Sequence, residues 1–162
     1  MIVDLKRFFQ GQSDTVTLEV DLSGLELGGV KPFCAPVKAE VGLRGFADSV
    51  ILDAHADYST VMPCDRCGES TRRDWSRDFS HVLVRELGDE QDDDTYVVVS
   101  DERLDLEELL REDILLELPS KYLCSPDCKG LCPKCGKNLN EGDCGCEAEE
   151  IDPRLEVLKS LL

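Results

Sequence analysis

The sequence predicts an α+β fold: an antiparallel β-meander or barrel-like sheet, one main helix, and a Cys-rich C-terminal segment ending in a short helix. Three observations carry that expectation. Several stretches between residues 15 and 100 alternate apolar and polar side chains with period two, the pattern of half-buried strands. Leu106 to Leu118 instead repeats its apolar residues near the 3.6-residue period of an amphipathic helix. From Cys124 to Cys146 the chain has few large apolar residues but six of its nine cysteines, so hydrophobic burial alone cannot fold it and a staple is required.

Each element has its own signal. Val16, Leu18, Val20 and Leu22 alternate with Thr15, Thr17, Glu19 and Asp21 to give a first strand. Gly24 and Gly28-Gly29 then break the chain. Val37, Ala39, Val41 and Leu43 mark a second strand. Val50, Leu52, Ala54, Ala56 and Tyr58 mark a third. Trp75 to Arg85, with Phe79 and Leu83 on one face, is a fourth, and Thr95 to Ser100 a short fifth. Short turns between consecutive strands favour antiparallel pairing. Asp105 is placed to cap the helix. Glu107 and Glu108 lie in its first turn, where acids suit the helix dipole, and Pro119 ends it. Asp152-Pro153 opens the terminal helix, with Leu155, Leu158, Leu161 and Leu162 at helical spacing. The expected organisation is an α+β core at 1–118 carrying an acidic loop at 86–94, with a Cys-rich segment at 119–162 packed on it.

The formal net charge of −17 is concentrated. Residues 86–118 hold 14 acidic and 2 basic side chains, net −12, while 1–85 and 119–162 carry only −3 and −2. Glu86 to Asp94 has too little apolar content to pack and reads as a solvated loop. No apolar run approaches the roughly 20 residues that span a bilayer, so no membrane role is expected. Met1 to Lys6 lacks the basic and apolar regions of an export signal, so a reducing, cytoplasmic setting is expected. There, clustered cysteines bind metal or do redox chemistry more often than they form structural disulfides.

Eight of the nine cysteines fall in close sets. Cys64-Asp65-Arg66-Cys67-Gly68 and Cys132-Pro133-Lys134-Cys135-Gly136 are CxxC turns followed by glycine. Cys124 and Cys128 are spaced CxxxC, and Cys144-Gly145-Cys146 is CxC. A tetrahedral ion takes four thiolates, usually delivered as two short pairs. Glycine after the second cysteine permits the positive φ such a turn needs. Eight thiolates make two complete four-cysteine sites, which suits two zinc ions; all-cysteine ligands also accept iron. In the pairing that loop closure favours, Cys64, Cys67, Cys124 and Cys128 hold one ion, and Cys132, Cys135, Cys144 and Cys146 hold the other. The rival pairing joins the two lookalike knuckles, Cys64/Cys67 and Cys132/Cys135, in one rubredoxin-like site. Cys34, alone between Phe33 and Ala35, reads as a small buried hydrophobe.

No catalytic motif is visible. The chain has no nucleophile elbow, no phosphate loop with its lysine and no HExxH, and full thiolate sites leave no position open for water. His55 shares a strand face with Asp53 and Asp57 and reads as part of a solvated surface. Neither an enzyme nor a small-molecule substrate is expected. Basic residues gather near the cysteines. Arg66, Arg72, Arg73 and Arg77 surround the first knuckle, and Lys129, Lys134 and Lys137 lie among the later ones. Such a patch can contact phosphates or a partner protein, although two filled sites would add about −2 each to an already acidic chain.

The run Leu118-Pro119 … Cys124-Ser125-Pro126-Asp127-Cys128-Lys129-Gly130-Leu131-Cys132-Pro133-Lys134-Cys135-Gly136-Lys137-Asn138-Leu139-Asn140 … Cys144-Gly145-Cys146 resembles the C-terminal signature of the YceD family. Cys64-Asp65-Arg66-Cys67 after an alternating strand, and the acidic loop followed by the Asp105–Leu118 helix, resemble the same family. Its members are bacterial and plastid proteins named for supporting accumulation of large-subunit ribosomal RNA. The resemblance implies a cytosolic, non-enzymatic ribosome-biogenesis factor acting in 23S rRNA accumulation or maturation. The family's genes often neighbour that of a small, basic large-subunit ribosomal protein, so the implied partner is rRNA or that protein. Two other function classes fit the cysteines: a redox-responsive zinc-thiolate switch with chaperone-like action, and a protein-only adaptor.

Overall fold

The computed structural model describes residues 1–87 and 96–146. The terminal helix expected from Asp152 onward, and residues 88–94 of the acidic loop, lie outside the described residues. In chain order the elements are β1 (Ile2–Asp4), α1 (Lys6–Phe9), β2 (Ser13–Val20), β3 (Val37–Phe46), β4 (Ser49–Pro63), β5 (Ser70–Val84), β6 (Tyr96–Val98), β7 (Arg103–Asp105) and α2 (Leu106–Glu117). Among the described residues the chain is mostly β, and no helix is long and apolar enough to cross a membrane.

Five strands form one sheet in the order β2-β3-β4-β5-β6, and β1 pairs with β7 in a second, two-stranded sheet. The alternation read from the sequence fixes which side chains go in. Val37, Ala39, Val41 and Leu43 of β3 are buried beside Val50, Leu52, Ala54, Ala56 and Tyr58 of β4. Leu5, Phe8 and Phe9 around α1, and Leu106, Leu110 and Ile114 of α2, join the same core. Asp105 caps α2 by accepting a hydrogen bond from Glu107 N–H at 3.1 Å. Leu118 is extended at φ −65°, ψ 133°, as a residue before proline must be, and the helix stops there. His81 of β5 meets Asp113 of α2 at 2.8 Å and ties helix to sheet.

The sheet is open, not barrel-like. β2 and β6 are its edges and do not pair with each other. β6 is only three residues long, too short to carry the stagger that closure demands. Helix α2 supplies the apolar cover that a closed barrel would have taken from its own far wall. The meander is also broken at its end, because β6 runs parallel to β5, with Val82 opposite Tyr96 and Val84 opposite Val98. Parallel pairing requires a crossover of about a dozen residues, and the stretch from Arg85 to Thr95 is of that order.

Cys34 is exposed, contrary to the expectation of burial. Phe33 beside it is buried and bridges to Thr60 of β4, and Cys34 lies in the exposed bend that follows. The sheet's outward face stays polar along β3, β4 and β5, and His55, Asp53 and Asp57 lie exposed on it.

Candidate metal centres

The CxxC at residues 64–67 forms the tip of the long β4–β5 hairpin, whose register runs to Pro63 opposite Ser70. Cys64 N–H donates to Glu69 O at 2.9 Å, and Gly68 N–H to Cys64 O at 2.8 Å. The second CxxC repeats this turn. Cys132 N–H donates to Lys137 O at 2.8 Å, and Gly136 N–H to Cys132 O at 2.8 Å. Both following glycines, Gly68 and Gly136, take φ 73°, which a side chain would resist.

Cys124 and Cys128 arrive at the hairpin tip from the segment after α2. Several bonds hold that segment in place. Asp65 N–H donates to Tyr122 O at 2.8 Å, Arg66 Nη1 to Cys128 O at 2.7 Å, and Arg73 Nη2 to Leu123 O at 2.5 Å. Leu131 N–H reaches Arg66 O at 3.2 Å. Gly130, at φ 76°, passes so close to Arg66 that an added Cβ would sit 3.1 Å from its carbonyl oxygen.

The sulfurs gather in two quartets, Cys64/Cys67/Cys124/Cys128 and Cys132/Cys135/Cys144/Cys146, each with its sulfurs within 4.8 Å of one another. This is the grouping that loop closure favours, and the two lookalike knuckles do not share a quartet. Cys64 and Cys128 lie 3.8 Å apart and Cys67 and Cys124 3.6 Å. A disulfide would need about 2.05 Å. A tetrahedron with Zn–S bonds of about 2.3 Å has edges of about 3.8 Å, so these two separations in the first quartet match the donor spacing of a thiophilic dication. The first quartet is largely buried, with Cys64 and Cys128 each 3% exposed. In the second, Cys135 and Cys146 are exposed and Cys144 is intermediate.

The electrostatics suit such an ion. Burial raises the pKa of Cys64, but the backbone N–H groups of Cys124, Cys67 and Arg66 outweigh it and bring the thiol to about 6. The N–H groups of Cys135 and Lys134 bring Cys132 to about 6. Crowding acts the other way. Cys124 is pushed up to about 12, first by Cys128, and Cys146 to about 12, first by Cys144. Packed sulfurs share protons, and a dication replaces those protons because thiolate is the ligating form.

The seven basic residues singled out from the sequence do not form one patch. Arg66 and Arg73 donate to the backbone of the post-helix segment. Arg77 lies 5.0 Å from the Trp75 ring centre and 3.4 Å from Glu117. Arg72 is on the opposite sheet face, paired with Asp74 at 3.4 Å and bonded to Ser59 at 3.1 Å. Lys137 Nζ donates to Asp143 O at 2.9 Å, and Lys129 and Lys134 are exposed around the second quartet. Asn140 was not singled out from the sequence, yet its Nδ2 lies 3.3 Å from Cys128 Sγ. An amide lying between two cysteine pairs was the available signal.

A family model described as large ribosomal RNA subunit accumulation protein YceD matches residues 52–162. The chain is similar to the chloroplastic large ribosomal RNA subunit accumulation protein YCED homolog 1 of Arabidopsis thaliana, 29% identical over 150 residues, covering 75% of this chain and 47% of that protein. The Zea mays protein of the same description is 36% identical over 158 residues, covering 78% and 54%. An uncharacterized protein of Mycobacterium tuberculosis is 30% identical over 142 residues, covering 86% and 68%. The chain therefore spans about half the length of the plant relatives it matches. No solved structure matches it.

Proposed function

Because this chain belongs to the YceD family of large ribosomal RNA subunit accumulation proteins, we propose that it supports accumulation of large-subunit rRNA as a non-catalytic binding factor, stapled by two zinc ions, whose direct partner is a basic ribosomal protein. Zinc is the usual ion of closed, all-thiolate structural tetrahedra with no position for substrate, which supports it over iron.

One observation carries the choice of partner: the sign of the exposed surface. Six carboxylates, from Glu19, Glu40, Asp53, Asp57, Asp74 and Asp78, sit at exposed, outward positions of the five-stranded sheet. Lys38, Arg44, Arg72 and the titratable His55 oppose them on this face, and three of these are engaged, Arg44 with Asp53 at 2.7 Å, Arg72 with Asp74 at 3.4 Å and His55 with Asp78 at 2.6 Å. The arginines nearest the first quartet hold backbone carbonyls. A field of this sign repels a phosphate backbone and steers a cationic protein toward it.

Binding measured across a salt series tests the proposal, with purified basic large-subunit proteins and large-subunit rRNA fragments presented separately. The expected result is capture of a basic protein, with affinity that falls as salt rises and drops further in Glu40→Gln/Asp53→Asn/Asp78→Asn. Tight binding of rRNA alone, lost in Lys129→Ala/Lys134→Ala and untouched by the carboxylate changes, would overturn it in favour of direct RNA contact.

A further inference from the structure

The two sulfur quartets are not independent. Asn140 belongs to the loop that joins Cys135 to Cys144, so its backbone is positioned by the second quartet. Its side chain nevertheless reaches the first. Asn140 Nδ2 lies 3.3 Å from Cys128 Sγ, and its Oδ1 accepts the Lys129 N–H at 2.8 Å. A backbone N–H can only donate, so it fixes which end of the amide faces it and leaves the NH₂ end aimed at the sulfur. The same loop is tied to the residues beside Cys128 through Leu139 N–H to Gly130 O at 2.9 Å, and is braced internally by Asn140 N–H and Asn140 Nδ2 donating to Asn138 Oδ1 at 3.0 and 2.8 Å.

We propose that Asn140 couples the two metal sites, so that an ion held by Cys132, Cys135, Cys144 and Cys146 tightens the ion held by Cys64, Cys67, Cys124 and Cys128. The physical route is short. An ion in the second site pins both ends of the 136–143 loop. The pinned loop presents the Asn140 amide to Cys128 without further loss of conformational freedom. A donor on a ligating thiolate stabilises its charge, as hydrogen bonds behind a ligand generally do. An empty second site leaves the loop to be ordered at the moment the first ion binds, and that ordering opposes binding. Coupling is reciprocal, so an ion in the first site must tighten the second by the same factor.

The inference rests on both quartets holding ions, and the test separates the two ideas. Purified, metal-loaded full-length chain is challenged with a graded chromophoric chelator, and zinc release is followed. Four proteins are compared: wild type, Asn140→Asp, the second-site double variant Cys144→Ser/Cys146→Ser, and all three substitutions together. Asn140→Asp keeps the acceptor for Lys129 N–H, removes the amide's donations to Cys128 sulfur and to Asn138 Oδ1 at 2.8 Å, and sets a carboxylate beside the thiolate, so Asn140→Ser, which adds no charge, is run alongside it. Circular dichroism of the sheet shows that each variant is folded, and Asn140→Ser alone is used if the aspartate form is not. Losing the second site should weaken the first by about 10–100-fold, the range expected for loss of a second-layer bond. Asn140→Asp should do the same with the second site intact and add little once that site is gone. Equal first-site affinity in wild type and in the double variant would overturn the coupling, as would an Asn140→Asp loss that is undiminished in the triple variant. A wild-type chain that carries no zinc at all would overturn the metal reading itself.

Discussion

Asp65 and Tyr122 exchange two hydrogen bonds, Asp65 N–H to Tyr122 O at 2.8 Å and Tyr122 N–H to Asp65 Oδ2 at 2.7 Å. They join the tip of the β4–β5 hairpin to the chain leaving α2, 57 residues later. The pair brings Cys124 and Cys128 to Cys64 and Cys67 through protein contacts alone. Asp65→Ala removes the carboxylate that accepts Tyr122 N–H. It should cost about 1 kcal/mol in denaturant titration, a typical net value for one bond. It should also speed zinc release from the first site, and affect the second only as far as an emptied first site withdraws its tightening.

Much of this was legible in the sequence because it was local. The alternation of Val37 to Leu43 and Val50 to Tyr58 survives intact in β3 and β4, and the cysteine spacings fixed two short pairs per ion before any fold was known. What was hidden depends on contacts distant in sequence. β1 and β7 are three residues each and exist only because Ile2 finds Asp105 and Asp4 finds Arg103. Ser70 to Asp74 has no apolar rhythm and becomes strand because β4 continues to Pro63 beside it. Strand parity divides the basic residues of β5. Arg72 and Arg73 are adjacent, so they must point to opposite faces of β5, and a patch that needs both on one side cannot form there.

Gly45 lies under the first helix. A Cβ at that position would overlap the Phe8 carbonyl oxygen and approach Gly11 Cα to 2.8 Å. Both obstacles are backbone, so neither can rotate away. Gly45→Ala should therefore destabilise the chain by about 1–3 kcal/mol, the range for overpacking a tight core, seen as a lower denaturation midpoint with the metal content unchanged. A midpoint equal to that of wild type would show that α1 can lift off β3 without loss.

His55 gives the sheet face a pH response. Its Nδ1 lies 2.6 Å from Asp78 Oδ1, and its Nε2 3.5 Å from Asp57. The Asp78 bond is the main influence and raises the imidazole pKa above the usual 6.5. Folding thus favours the protonated form. The stabilisation is full below the unfolded value of about 6.5 and is lost as pH rises through the folded value. An NMR titration should place the His55 midpoint above that of a free histidine, and Asp78→Asn should lower it. Because the pair is exposed, raising the salt concentration should shrink the difference.

The unequal burial of the two quartets predicts an order of oxidation. Cys135 and Cys146 are exposed, whereas Cys64, Cys67 and Cys128 are buried. Hydrogen peroxide reaching the second site would be reduced to two hydroxides as two thiolates lose one electron each and join in a disulfide, and the zinc they held would leave. Mild peroxide should therefore release one ion in a fast phase, with mass spectrometry placing the disulfide among Cys132, Cys135, Cys144 and Cys146. The other ion should follow much more slowly. Coupling through Asn140 would weaken the first site once the second is lost. A loss of about 10–100-fold still leaves a structural zinc site loaded, since such sites bind with about 10–16 kcal/mol. Simultaneous release of both ions, or a disulfide at Cys64 or Cys67 first, would show that exposure of the sulfurs does not govern their reactivity.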